Sequence, residues 1–139
     1  MTSSNVHYLC HSSVTIETNS GPLCIFGSLY TPSHHVWAFQ DKHDNALWHY
    51  WPPQIDIVVT HGPPKGILDR TWRHGILQHA GSPALLTKIK QVGPRLHIFG
   101  HLHEDAHSMI QEDGTWFINA ATGYAKTSDR SLRAIVWDL

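Results

Sequence analysis

The sequence predicts a mixed α/β layered domain, and three observations carry that expectation. Ile55-Asp56-Ile57-Val58-Val59-Thr60 is a nearly continuous apolar run, as in a strand inside a covered sheet. Leu96-His97-Ile98-Phe99 is a second short strand. Between them lies one well-capped amphipathic helix. The full order reads strand, strand, strand, helix, strand, strand, strand.

Val14-Thr15-Ile16-Glu17 alternates apolar and polar residues, the pattern of a half-buried strand. Leu23–Leu29 is more apolar, and Gly21-Pro22 before it signals a turn, so the two segments read as a hairpin. Thr31–Pro53 is irregular and aromatic, with Trp37, Phe39, Trp48, Tyr50 and Trp51. A short helix is expected around Asp41–Trp48. The aromatic side chains read either as packing that covers the sheet or as a lid over a substrate. After the Ile55–Thr60 strand, Pro63-Pro64 forbids helix directly. The helix proper has Ser82 as N-cap, Pro83 at its first position, and Leu85, Leu86, Ile89 and Val92 on one face. Gly93-Pro94 ends it. Thr115–Asn119 and Arg133–Trp137 read as two further strands, with Gln111-Glu112-Asp113-Gly114 as the turn before the first. No repeat, low-complexity tract or internal boundary divides the 139 residues, so residues 1–139 read as one domain.

Composition narrows the function classes. Hydrophobic residues make up 41% and charged residues 15%, which favours a packed domain over a disordered chain. The formal net charge is −1, without the clustered Lys and Arg that a nucleic-acid surface requires. The longest apolar runs fall well short of the ~18 residues of a membrane span. Cys10 and Cys24 form no C-x-x-C pair, and Met1–Asn5 is no signal peptide, so a cytoplasmic protein with reduced cysteines is expected.

The chemistry concentrates where the two central strands end. Ile55–Thr60 runs directly into His61, and Leu96–Phe99 into Gly100-His101-Leu102-His103-Glu104. Gly100 is expected to supply the sharp turn that delivers both later imidazoles to the sheet rim. Imidazole is a ligand for Zn, Fe, Ni and Cu, and for Mn in mixed nitrogen and oxygen sites. His61, His101 and His103 are therefore the candidate metal ligands. Most of the 13 histidines read as ordinary surface or packing residues, and His34-His35, His74 and His79 carry no recognisable ligand spacing.

Thr60-His61-Gly62-Pro63-Pro64-Lys65-Gly66-Ile67-Leu68-Asp69, followed by the G-H-x-H stretch at Gly100–His103, resembles the C-terminal half of the calcineurin-like metallophosphoesterases, most closely the small metallophosphoesterase-domain branch. Phe26-Gly27-Ser28, Trp37-Ala38-Phe39, Pro94–Phe99, Phe117–Ala120 and Val136–Leu139 extend that resemblance over most of the chain. The resemblance implies a layered mixed β-sheet sandwich flanked by helices. It also implies a hydrolase with two divalent metal ions, drawn from Mn, Fe, Zn or Mg, that cleaves phosphomonoesters or phosphodiesters. In that family two metals roughly 3.5–4 Å apart clamp the phosphoryl oxygens. By the resemblance, His61 and His101 take the second metal and His103 the first. Three imidazoles gathered on a single metal is the other arrangement open to them. The implied partner is a small phosphate ester of nucleotide-like kind, with no nucleic acid and no membrane.

The same resemblance exposes what is lacking. The family's D-x-H, G-D and G-N-H-D/E motifs, which supply the remaining ligands, are not found. Asp41-Lys42-His43 spells D-x-H but follows Trp37-Ala38-Phe39-Gln40 rather than a strand. The chain thus reads as a truncated domain without the N-terminal half. It is expected to be weak or inactive by itself and prone to self-association through an uncovered sheet. The alternative is a non-catalytic remnant that binds a metal or a partner.

Overall fold

The computed structural model describes residues 6–33, 38–41, 47–122 and 134–138. The hairpin forms as expected: β1 (Ser12–Thr18) pairs antiparallel with β2 (Gly21–Ser28), from Ser12 opposite Gly27 to Thr18 opposite Gly21. Its turn falls one step earlier than the Gly21-Pro22 signal suggests. The Thr18 hydroxyl donates to the Gly21 carbonyl at 2.7 Å and accepts the Ser20 N–H at 3.2 Å, which closes the loop at Asn19-Ser20.

β3 (Thr31–Pro32) and β4 (Gln40–Asp41) form a two-residue parallel ribbon. Asp41 is thus a strand residue. The rest of the helix expected over Asp41–Trp48 lies outside the described residues, apart from Leu47 and Trp48 at its end. Trp48 is 3% exposed and, with Trp51, packs against Phe26, so these two tryptophans are core rather than lid, while Tyr50 between them is exposed.

β5 (Ile57–Thr60) starts two residues later than the apolar run. The Asp56 carboxylate accepts the Cys24 N–H at 2.8 Å, and the Asp56 carbonyl accepts the N–H groups of Arg95 and Leu96, so Asp56 fastens the strand heads together. A hairpin that the sequence reading missed follows: β6 (Arg70–Arg73) against β7 (Ile76–His79). It carries little alternation, and Trp72, Ile76 and Leu77 are exposed.

The helix, α1 (Pro83–Val92), is the one expected. The Ser82 hydroxyl accepts the Leu85 N–H, and Gly93 takes the left-handed conformation and donates its N–H to Ile89. β8 (Leu96–Phe99) follows. β9 (Ser108–Glu112) and β10 (Thr115–Asn119) form a second hairpin. Its turn is only Asp113-Gly114, both at positive φ, as a two-residue hairpin turn requires. Gln111 and Glu112, expected in the turn, belong to β9.

The main sheet has the order β1-β2-β5-β8-β10-β9. β2, β5, β8 and β10 run parallel, and the edge strands β1 and β9 run antiparallel to their neighbours. This is the mixed α/β layered architecture the pattern predicts. α1 covers one face, where Leu85 and Ile89 meet Phe26, Val58, Phe99 and Phe117. Each of those two helix side chains contributes about 1.5–3 kcal/mol by burial. On the other face Ile57, Leu96 and Ile118 form a smaller cluster with Leu23, Ile25, Ile98, Trp116 and Trp137.

The strand expected over Arg133–Trp137 does not form among its described residues, Ala134–Trp137. The outer side of β10 is already taken by β9, so no edge is open to it there. Trp137 lies against the second-face cluster instead, with the Arg95 guanidinium 6.0 Å from its ring centre. No described helix is long and apolar enough to cross a membrane.

Candidate metal centre

The four parallel strands end on one rim, and the candidate ligands stand there. His61 follows β5 directly. Its N–H donates to the Ser28 carbonyl at 3.1 Å, and its carbonyl accepts the Gly100 N–H at 3.1 Å, which ties the rim across three strands. The Thr60 hydroxyl donates to the Gly62 carbonyl at 2.7 Å, so the chain turns off the strand within two residues.

After β8 the turn is made differently from the expectation. Gly100 is not the left-handed residue; His101 is, at φ 70. The Leu102 N–H reaches back to the Gly100 carbonyl at 2.8 Å, closing a three-residue turn centred on His101. This positive-φ form is strained for any residue with a Cβ. It swings the His101 ring toward β5.

His61 Nε2 and His101 Nδ1 lie 3.2 Å apart, with ring centres 4.7 Å apart and planes inclined at 46°. One ring nitrogen carries the proton and the other accepts it. Burial pushes the His61 imidazole below its ordinary value, toward the neutral form that a metal requires. Two nitrogens at about 2.0–2.1 Å from a tetrahedral ion would stand about 3.3 Å apart. The observed spacing therefore suits two adjacent corners of one coordination sphere.

The set stops there. His103 is exposed, and among the described residues no three His, Cys, Asp or Glu side chains gather closely enough to hold an ion. The structure thus brings His61 and His101 together and does not bring His103 to them. Lys42 and His43 of the D-x-H triplet lie outside the described residues. The cleft beside His101, walled by Thr31, Pro32, Gly62, Gly81 and Leu102, is only about 50 Å³. Ligand pockets are typically about 300–1,000 Å³, so a nucleotide-sized molecule must lie across the rim rather than inside.

Several residues around the pair were not legible in the sequence. Asp69 is fully buried and accepts the N–H groups of Gly66 and Gly81 at 2.9 and 2.8 Å, together with His79 Nδ1. It closes the turn from Gly66 to Asp69, downstream of His61, and ties it to Gly81. Gly81 is demanded here: a Cβ on it would lie 2.4 Å from the Pro64 carbonyl oxygen.

Asp105, 4% exposed, accepts the Arg70 N–H and Nε at 2.9 and 2.8 Å. Burial alone would raise this carboxyl, but the Arg70 hydrogen bonds and charge outweigh it and hold it below the usual range. Arg70 is thereby committed to Asp105, and Lys65 Nζ donates to the His79 carbonyl. Neither contact is with a site residue. Asp–Arg and Asp–His pairs at separations of 35 and 10 residues have no local signature by which the sequence could reveal them.

No family model matches the chain. Metallophosphoesterase domain-containing protein 1 of Homo sapiens is 36% identical over 121 residues, which is 84% of this chain and 35% of that protein. A UPF0046 protein of Caenorhabditis elegans is 33% identical over 119 residues, 84% of this chain and 38% of that protein. A probable rhamnogalacturonate lyase C of Emericella nidulans is 39% identical over 100 residues, but the match covers just 9% of it. The chain therefore spans little more than a third of the length of these metallophosphoesterase and UPF0046 proteins of Homo sapiens and Caenorhabditis elegans. These relatives show a metallophosphoesterase-family relationship for this chain.

Proposed function

We propose that this chain carries one wall of a metal-dependent phosphoesterase site, in which His61 and His101 are ligands of one divalent ion and His103 of another. The single observation behind this is the 3.2 Å approach of His61 Nε2 to His101 Nδ1 from the ends of two parallel strands. A divalent ion bound there supplies Lewis-acid polarisation of a phosphoryl oxygen. The chain's own part is to hold two neutral imidazoles at ligand spacing. Partial desolvation shifts the His61 imidazole below its ordinary value, toward its neutral form, and the strained turn aims His101. The substrate class is a small phosphomonoester or phosphodiester of nucleotide-like size, lying across the shallow cleft.

A second reading has its own support. No third ligand joins the pair among the described residues, which favours metal binding without turnover.

The test is calorimetric titration of the chain with Mn²⁺ and Zn²⁺, alongside hydrolysis of an aryl phosphodiester. A His61→Ala, His101→Ala double variant serves as the control. Ion uptake that disappears in the double variant is the expected result, with turnover weak. Absence of uptake overturns both readings. Saturable, metal-dependent turnover favours the enzyme, and uptake without turnover favours the binding module.

A further inference from the structure

We propose that Asn119 is the positioning residue of this site, setting the His61–His101 spacing through the backbones that carry the two rings. This inference rests on the metal-ligand reading above. Asn119 ends β10 and is fully buried. Its side-chain NH₂ donates to two carbonyls, that of Leu68 at 3.0 Å and that of Leu102 at 2.9 Å. Its Oδ1 accepts the Ala121 N–H at 3.0 Å.

Leu68 lies on the loop leaving β5 through His61. Leu102 lies on the loop leaving β8 through His101. One amide thus spans both histidine-bearing segments from a third strand.

The two segments need such a brace for different reasons. The His101 turn holds a Cβ-bearing residue at φ 70, a conformation that persists only where the surroundings fix it. Asn119 fixes the carbonyl of the next residue, Leu102. Downstream of His61, Asp69 closes the turn that begins at Gly66 and ties it to Gly81 by accepting both N–H groups. Asn119 bonds to the residue just before Asp69 and so anchors that turn to the sheet.

The chemistry selects asparagine. Two donors and an acceptor are needed on one short planar group. An aspartate has the same shape but would set carboxylate oxygen against two carbonyls. A serine offers a single donor.

The experiment compares the full 139-residue chain with Asn119→Asp, Asn119→Ser and Ile89→Val. The last destabilises α1 away from the rim. Two quantities are read below each protein's unfolding midpoint: Zn²⁺ affinity by calorimetry, and the nuclear Overhauser contact between the His61 and His101 rings. Loss of fine positioning around a ligand typically costs roughly tenfold to a hundredfold in metal affinity.

That loss is expected in Asn119→Asp together with loss of the ring contact, with a smaller effect in Asn119→Ser. Ile89→Val is expected to lower the unfolding midpoint and leave both readouts unchanged. Retention of affinity and ring contact in Asn119→Asp overturns the proposal, as does an equal loss of affinity in Ile89→Val. If the unaltered chain takes up no Zn²⁺ through His61 and His101, the metal reading fails by itself. The ring contact then decides the brace: its loss in the folded Asn119 variants supports it and its persistence overturns it. If Asn119→Asp does not fold, Asn119→Ser carries the same comparison.

Discussion

His97 should make this protein acid-labile. It sits inside β8 with no exposed surface, its ring centre 5.0 Å from that of Phe99 and 5.8 Å from that of Phe117. Its Nε2 is 2.8 Å from the Thr60 hydroxyl. That hydroxyl donates its hydrogen to the Gly62 carbonyl, so Nε2–H is the donor toward Thr60. Nδ1 is then bare and buried, with no partner among the described residues.

Acid would place a charge and an unmatched N–H there. Burial accordingly lowers the His97 pKa from 6.5 to about 3. Between those values the unfolded chain binds a proton that the folded chain refuses, so stability falls as pH drops through the window. At about 1.4 kcal/mol per unit, the loss is about 2 kcal/mol at pH 5 and approaches 5 kcal/mol near pH 3. That is a large share of a typical 5–15 kcal/mol domain stability.

The assay is urea unfolding at pH 7.5 and pH 5, beside His97→Gln, whose amide retains a donor for Thr60 and does not titrate. The other histidines cancel in the comparison. The unaltered chain should lose about 2 kcal/mol more than the variant over this interval. Equal pH dependence in the two proteins would show that the buried imidazole is not the cause.

The remaining predictions concern the rim and the sheet surfaces. His101→Gly removes the strained Cβ at φ 70, so it should abolish Zn²⁺ uptake while raising the urea midpoint, a gain of about 1 kcal/mol; a lowered midpoint would show that the turn is not strained. Asp105 is held below the usual carboxylate range chiefly by Arg70 acting against burial. The stability it contributes is therefore present above the ordinary carboxylate pKa and lost as pH falls through the depressed one. Arg70→Ala should flatten that acid limb in thermal melts from pH 5 to 2, and an unchanged limb would place its origin elsewhere. The second sheet face carries Leu23, Ile25, Val59, Ile98 and Trp116, and Val59 is 38% exposed. We propose that this face drives self-association, so the chain should elute as oligomer and Val59→Lys should shift it toward monomer; a monodisperse, cooperatively melting parent would refute this.

Much of the fold was legible because local physics sets it. The α1 boundaries follow from Ser82, Pro83 and Gly93, each of which acts within one turn of the helix end. β8 and β10 follow from short apolar runs between turn residues. β9 was not legible: Ser108–Glu112 has two apolar residues on opposite faces, and it becomes a strand because β10 offers an edge. Ile135-Val136-Trp137 has the composition of a strand and is not one, because that edge is already taken. The site divides the same way. His61 and His101 could be picked out from the strand-end pattern, but their mutual approach depends on the turn centred on His101, whereas the sharp turn was expected of Gly100.

The strain at His101 and the braces around it belong to one physical arrangement. A parallel sheet delivers strand ends to one rim, but the strands hold only their own backbones, and a ligand ring beyond the last paired residue is free to swing. The rim here is fixed from outside the strands. The Gly100 N–H bonds to His61, the Glu104 carboxylate accepts the Trp72 N–H at 3.2 Å, and Asp105 holds Arg70 at the start of β6. The β6–β7 hairpin, whose exposed face suggests a surface flap, is therefore tied to the loop after β8 by two acidic side chains. A loop tied in this way can keep His101 in a costly turn.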